Sequence, residues 1–251
     1  MTSSLIVEGL AAGYQEPVVK NVDFSVNGGE IVAIVGVNGA GKSTILKAII
    51  GSATVHAGKV FLDGKNVTRR RSDLLAREGI GYVPQEHAVF SGLSVAENLR
   101  MGGYTLSRQL VNERIDLQLE RFPQLIPKMS SMAHLLSGGE RRQLGLARAL
   151  MAEPTVILLD EPTSNLSADL AEELLSVHIA RLSQEGRCVV VVEQRVEMIL
   201  KAADKACFIG GGSMRMWDAA NVVLDVIREH GLLVTSMVGT QGDGPNVTQH
   251  T

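Results

Sequence analysis

Gly36-Val37-Asn38-Gly39-Ala40-Gly41-Lys42-Ser43 puts a lysine and a hydroxyl directly behind a glycine-rich run. The spacing G-x-x-x-x-G-K-S/T builds a phosphate cradle. Its glycines let successive backbone N–H groups, from Asn38 through Ala40 and Gly41, curl around phosphate oxygens. A helix beginning there adds the positive end of its dipole. Lys42 supplies a full charge to the β- and γ-phosphates of a nucleotide. Ser43 suits Mg²⁺ through its hydroxyl, with Thr44 just behind.

Two further stretches carry chemistry. Val156-Ile157-Leu158-Leu159 is an aliphatic run ending in Asp160 and Glu161. Carboxyl ends of strands are where open α/β sheets bind ligands. Asp160 is a hard oxygen ligand that can hold Mg²⁺ through its water shell. Glu161 points elsewhere and suits taking a proton from an attacking water. The other stretch is Leu136-Ser137-Gly138-Gly139-Glu140. Ser137 with Glu140 three residues on is a capping box at a helix start. Gly138 and Gly139 each cost that helix about 0.8–1 kcal/mol of propensity. A capped helix explains the serine and the glutamate but not the glycines. They suggest a backbone that a ligand must approach.

These residues need a scaffold, and the pattern of the chain supplies one. Val22, Phe24 and Val26 alternate with polar residues ahead of an Asn27-Gly28-Gly29 turn. Ile31–Val35 is a continuous aliphatic run, as for a strand buried on both faces. Ile45, Leu46, Ile49 and Ile50 then recur at helical spacing, and Gly51 offers a stop. Lys59–Leu62 and Ile80–Val83 read as strands. Residues 86–153 turn helical, with stripes at Leu110, Val111, Arg114, Ile115, Gln118, Leu119 and at Leu144, Ala147, Arg148, Met151. Strand-like runs return at Val156–Leu159, Cys188–Val192 and Ala206–Ile209, separated by helical stretches around 168–184 and 196–203. Alternation of this kind predicts an α/β protein with a parallel sheet and a helical insertion.

Composition narrows the class. The chain has 251 residues, 24 Lys+Arg and 27 Asp+Glu, for a net charge of −3. Its 45% hydrophobic content excludes disorder as the main state. The slightly acidic balance disfavours a bulk nucleic-acid binder, and the basic run Arg69-Arg70-Arg71 reads as a solvated loop. Glycine, at 26 residues, exceeds the average of about 7%. No apolar stretch nears the ~20 residues that span a bilayer. The start lacks the basic and apolar regions of a secretory signal. Cys188 and Cys207 lie in apolar runs and are expected as packed free thiols. The tail from Gly239, without periodicity, is expected to be mobile.

The three motifs together resemble the ATP-binding cassette (ABC) ATPases, over about residues 4–230. The resemblance implies a P-loop NTPase core with a mixed, mainly parallel sheet, an N-terminal antiparallel β subdomain and an inserted helical subdomain. The core would span 1–85 and 154–230, the insertion 86–153 and the tail 231–251. ATP and Mg²⁺ are the implied ligands. Tyr14 looks like the aromatic that stacks on adenine. Gln85, in Tyr-Val-Pro-Gln, looks like the glutamine that touches Mg²⁺ and the attacking water. Ser137, Gly138 and Gly139 would bind ATP held by a second, head-to-tail ATPase subunit. The other implied partners are transmembrane permease subunits and, indirectly, a solute-binding protein, with no nucleic acid. The implied place is the cytoplasmic face of the cell membrane.

Two positions depart from the family's pattern. Ser167 stands where a loop usually ends in Asp, with Asp169 two residues later. Gln194 stands where a histidine is usual; it can donate to the γ-phosphate but cannot carry a proton. The Glu193-Gln194 pair, with Val89-Phe90, Asn98–Gly103 and Arg121-Phe122-Pro123, resembles the ATPases of branched-chain amino-acid importers and their urea and amide relatives. The alternatives are an ABC ATPase for lipid or lipopolysaccharide export and a soluble ABC ATPase acting on nucleic acid or ribosomes.

Overall fold

The computed structural model describes residues 3–234. The tail segment 239–251 lies outside them. β1 (Ser4–Gly13) and β2 (Pro17–Asn27) form an antiparallel pair. β3 (Ile31–Gly36) then leads through the glycine loop into α1 (Lys42–Ile49). β4 (Thr54–Leu62), β5 (Lys65–Asn66), α2 (Ser72–Arg77) and β6 (Ile80–Val83) follow. Next come α3 (Val95–Gly102), α4 (Arg108–Arg121) and α5 (Gly138–Leu150). The described residues between β6 and β7 (Val156–Asp160) add no strand to the sheet.

A helical run then covers α6 (Ala168–Glu173), a π-helical segment (Leu174–Ile179) and α7 (Ala180–Gln184). β8 (Cys188–Val192), α8 (Val196–Ala202), β9 (Lys205–Gly210), β10 (Ser213–Ala219) and α9 (Ala220–Val234) complete the chain.

All ten strands join in one sheet, ordered β5-β4-β1-β2-β10-β9-β3-β8-β7-β6. The half from β9 to β6 is parallel, and β5-β4-β1-β2 is antiparallel. The halves meet through β10, whose Ser213 pairs with Lys20 of β2, and through the Lys20 N–H donated to Gly212 O at 2.7 Å. Trp217 of β10 packs on Phe24 of β2 with ring centroids 6.2 Å apart.

Alternation splits the core across the sheet. Ala33, Val35, Ile157, Leu159, Val189 and Val191 face α5, the π-helical run and α8. Val32, Ile34, Leu158, Val190 and Val192 face α1 and the antiparallel strands. Because both faces are covered, these strands read as unbroken aliphatic runs. Cys188 and Cys207 are buried free thiols in this core, and burial pushes the Cys188 thiol up to about 12. They are poor nucleophiles in the native state.

Three features add to the sequence reading. β10 has five consecutive half-buried residues, Ser213 to Trp217, so its burial does not alternate. The expected helix around 168–184 contains a π turn at its centre, a feature that hydrophobic spacing does not report. α9 follows β10 without a loop, and Gly231 breaks its helical geometry at φ 71°.

Candidate active site

Three adjacent parallel strands bring the site together. Ile34 of β3 pairs with Val192 of β8, and Val192 pairs with Asp160 of β7. The loops after Gly36, Asp160 and Val192 therefore leave the sheet at one edge, the ligand-binding edge of an open α/β sheet.

The first loop fits a phosphate by shape. Gly41 caps α1 at φ 91°, and a Cβ there would lie 2.3 Å from Val19 Cγ1. At Gly36 a Cβ would lie 2.1 Å from the carbonyl oxygen of Ile209. No side chain fits at either position. Asn38 and Gly39 are exposed at the loop tip, while Ala40 is buried beneath. Lys42 opens α1 with only 5% of its surface exposed, and its Nζ donates to Gly36 O at 2.9 Å and Val37 O at 3.0 Å. Burial lowers its pKa, which the carboxylates of Glu161, Asp160 and Glu193 oppose. A buried ammonium held by two neutral carbonyls suits the charge of phosphate oxygens. Thr44 is buried behind it, its N–H bonded to Gly41 O at 3.0 Å.

Ser43 and Asp160 face each other. Ser43 Oγ donates to Asp160 Oδ1 at 2.7 Å, and the Tyr82 hydroxyl donates to Asp160 Oδ2 at 3.1 Å. Burial raises the Asp160 pKa, and the two donors pull it back. A hydroxyl beside a carboxylate is an incomplete ligand set, which suits a Mg²⁺ that keeps waters and takes phosphate oxygens. Tyr82 was not legible as a site residue. It pairs with Leu158 across β6 and β7, so its ring shares a face with Asp160 two residues on. Only the register reveals that.

Glu161 is held in a left-handed backbone conformation. Its φ is 47°, a conformation costly for any residue but glycine and one that clusters at functional sites. Its N–H bonds to Val192 O at 2.8 Å. Two amides then converge on one carboxylate oxygen: Gln85 Nε2 at 2.5 Å and Gln194 Nε2 at 2.7 Å from Glu161 Oε2. Gln85, Glu161 and Gln194 are thus brought together. The two amides bond one oxygen, Oε2.

Glu193 is a further residue that the sequence reading did not single out as functional. Its side chain is 1% exposed. One oxygen accepts from Thr163 N–H at 2.8 Å and the other from Gln194 N–H at 3.0 Å. It ties the loop after β7 to the loop after β8. Ser167, the departure from Asp, caps α6 by accepting from Leu170 N–H at 3.4 Å. Serine does there what aspartate does at a helix start.

Ser137 caps α5, which Gly138 and Gly139 begin. The capping box forms as read: Ser137 Oγ accepts from Glu140 N–H, and Glu140 Oε2 accepts from Ser137 N–H. Added Cβ atoms at Gly138 and Gly139 would meet only Leu166, Asn165 and Leu170, at 3.5 Å or more. Nothing among the described residues demands glycine at either position. Tyr14 projects from the β1–β2 turn with 56% of its surface exposed, leaving its ring free to stack.

An ATP-binding cassette is the class of protein that this sheet and these loops define, and the chain belongs to the ABC transporter family, whose model matches residues 19–164. It is an ATP-binding, ATP-hydrolysing subunit of that family.

Among its relatives is the probable branched-chain amino acid transport ATP-binding protein LivF of Archaeoglobus fulgidus, 40% identical over 86% of this chain and 92% of that protein. The high-affinity branched-chain amino acid transport ATP-binding protein BraG of Pseudomonas aeruginosa is 37% identical, over 81% and 87%. The lipopolysaccharide export ATP-binding protein LptB of Haemophilus influenzae is 34% identical, over 84% and 89%. An ABC-transporter cassette solved in its ADP conformation shares the fold, with a TM-score of 0.82 at 24% identity over 95% of this chain and 99% of that one. Among the described residues no helix is long and apolar enough to cross a membrane.

Proposed function

We propose that this subunit powers import of branched-chain amino acids, or of related amides or urea, from the cytoplasmic face of the cell membrane. The observation that carries the cargo class is its identity with LivF and BraG along most of both chains. Its own residues meet nucleotide rather than cargo. The partners are transmembrane permease subunits, fed by a solute-binding protein, and a second ATPase subunit.

The phosphate loop and Lys42 bind the ATP phosphates, and Tyr14 stacks on the adenine. Ser43, Asp160 and Gln85 would hold Mg²⁺, which would neutralise charge on the phosphate oxygens. Glu161 takes the proton of the attacking water as it closes on the γ-phosphorus. Gln85 and Gln194 hold the carboxylate at its angle. Ser137, Gly138 and Gly139 close over the γ-phosphate bound to the second subunit, head to tail. That the described residues leave room for a side chain at Gly138 and Gly139 supports a ligand outside this chain as the reason for them.

Gln194→Ala removes one of two donors to Glu161 Oε2. Turnover is expected to fall, by less than in Glu161→Gln, with ATP affinity retained. A loss equal to or larger than that of Glu161→Gln would make Gln194 a principal catalytic group.

The cargo is tested in proteoliposomes holding the assembled transporter. Leucine, isoleucine or valine, delivered by the binding protein, is expected to stimulate ATP hydrolysis and be accumulated. Stimulation by lipopolysaccharide, with no response to amino acids or urea, would overturn the import reading and favour the LptB-like one.

A further inference from the structure

Arg142 lies one helical turn beyond Gly138 on α5, so both belong to the same face. Its guanidinium forms no ion pair among the described residues. It forks instead onto two loops: Nη1 donates to Gln85 O at 2.7 Å, and Nη2 to Ser164 O at 3.3 Å and to Ser164 Oγ.

Each of those loops aims Glu161. Gln85 does so through its side-chain amide, and Ser164 through its N–H, which bonds Glu161 O at 3.1 Å. Beside this bridge a cleft of about 260 Å³ separates Gly138 from Gln85 and Ser164. A planar five-donor fork can hold two carbonyls on separate loops at once, and an ammonium cannot match that geometry.

We propose that Arg142 is a positioning residue: it couples the Gly138-Gly139 end of α5 to Gln85 and Glu161 of its own chain. This rests on the reading that those glycines meet the second subunit's nucleotide. A shift of α5 on nucleotide contact then drags both loops, and Glu161 is aimed in one ATP site when the other is occupied. The link runs through the loop that ends at Ser167, where the usual aspartate is missing.

The test uses the full chain. Arg142→Lys keeps the charge and loses the fork. Turnover is expected to fall about 10–10²-fold, the cost of misplacing a reacting group by a fraction of an ångström to an ångström. ATP affinity should stay within about twofold of wild type on the same grounds, since no phosphate contact is lost. The Hill coefficient for ATP should fall towards one. Combined with Glu161→Gln, it should add no further loss, because a residue acting through Glu161 has nothing left to act on. Wild-type turnover in Arg142→Lys, or full additivity in the double variant, overturns the proposal. Should Arg142→Lys fail to fold, Ser164→Ala carries the test, with a smaller loss of the same kind expected and wild-type behaviour overturning it. Gly138→Asp separates the two readings. If it leaves turnover and cooperativity intact, the partner-nucleotide reading itself fails. If it abolishes both while Arg142→Lys behaves as wild type, only the Arg142 link fails.

Discussion

Lys42→Ala abolishes measurable ATP binding: titration with labelled nucleotide gives no saturation at concentrations that saturate the wild type. Lys42 is 5% exposed, and its ammonium donates to two loop carbonyls. A hydrogen bond to a charged group contributes about 1.5–3 kcal/mol. Losing one to each of two phosphates lowers affinity at least about 10²-fold. The fold should survive, because burial already works against this ammonium, as its lowered pKa records. The thermal midpoint is expected to move only a few degrees, where about 1 kcal/mol corresponds to roughly 2–4 °C in a chain of this size. Unchanged affinity would remove Lys42 from the site. Lost affinity with a collapsed midpoint would mean that the variant had unfolded.

Glu161→Gln has the opposite signature. Glutamine is nearly isosteric, and its carbonyl can accept from both Gln85 and Gln194, so the geometry around Oε2 persists. What disappears is the capacity to take a proton. Removing a positioned base costs about 10²–10⁴-fold in rate. Single-turnover hydrolysis should fall by that factor with ATP affinity intact. If hydrolysis is what separates the paired subunits, ATP should also hold this variant as a stable dimer in sedimentation. Turnover near wild type would exclude Glu161 as the base.

The sequence exposed the parts of the fold that burial marks locally. β3, β7 and β8 are covered on both faces, so their aliphatic runs stand out. The capping box of α5 is a contiguous pattern, and it forms as written. Gln194, which a reader of the residues alone would take for a surface amide, bonds Glu161 because β7 and β8 are neighbours. Tyr82, Glu193 and Arg142 were illegible for the same reason. Each acts across a separation of 22 residues or more, on Asp160, Thr163 and Ser164 respectively. Tyr82 is placed by strand register, and Glu193 and Arg142 by how loops and α5 pack against the sheet edge, none of which local pattern contains. β10 escaped because its polar–apolar alternation, Ser213 to Met216, is short and breaks at Trp217.

The strand order has a consequence for how the molecule is made. β3 lies between β9 and β8, so both of its neighbours come far later in the chain. A nascent chain ending before residue 188 already carries Lys42, Asp160 and Glu161, yet lacks the strand that sets them side by side. Pairings this distant close late and slowly. ATP binds the finished arrangement and stabilises it by mass action, in proportion to the logarithm of its concentration over Kd. In a cell rich in ATP, the fuel of this subunit is therefore also a selective stabiliser of the chains that have been completed.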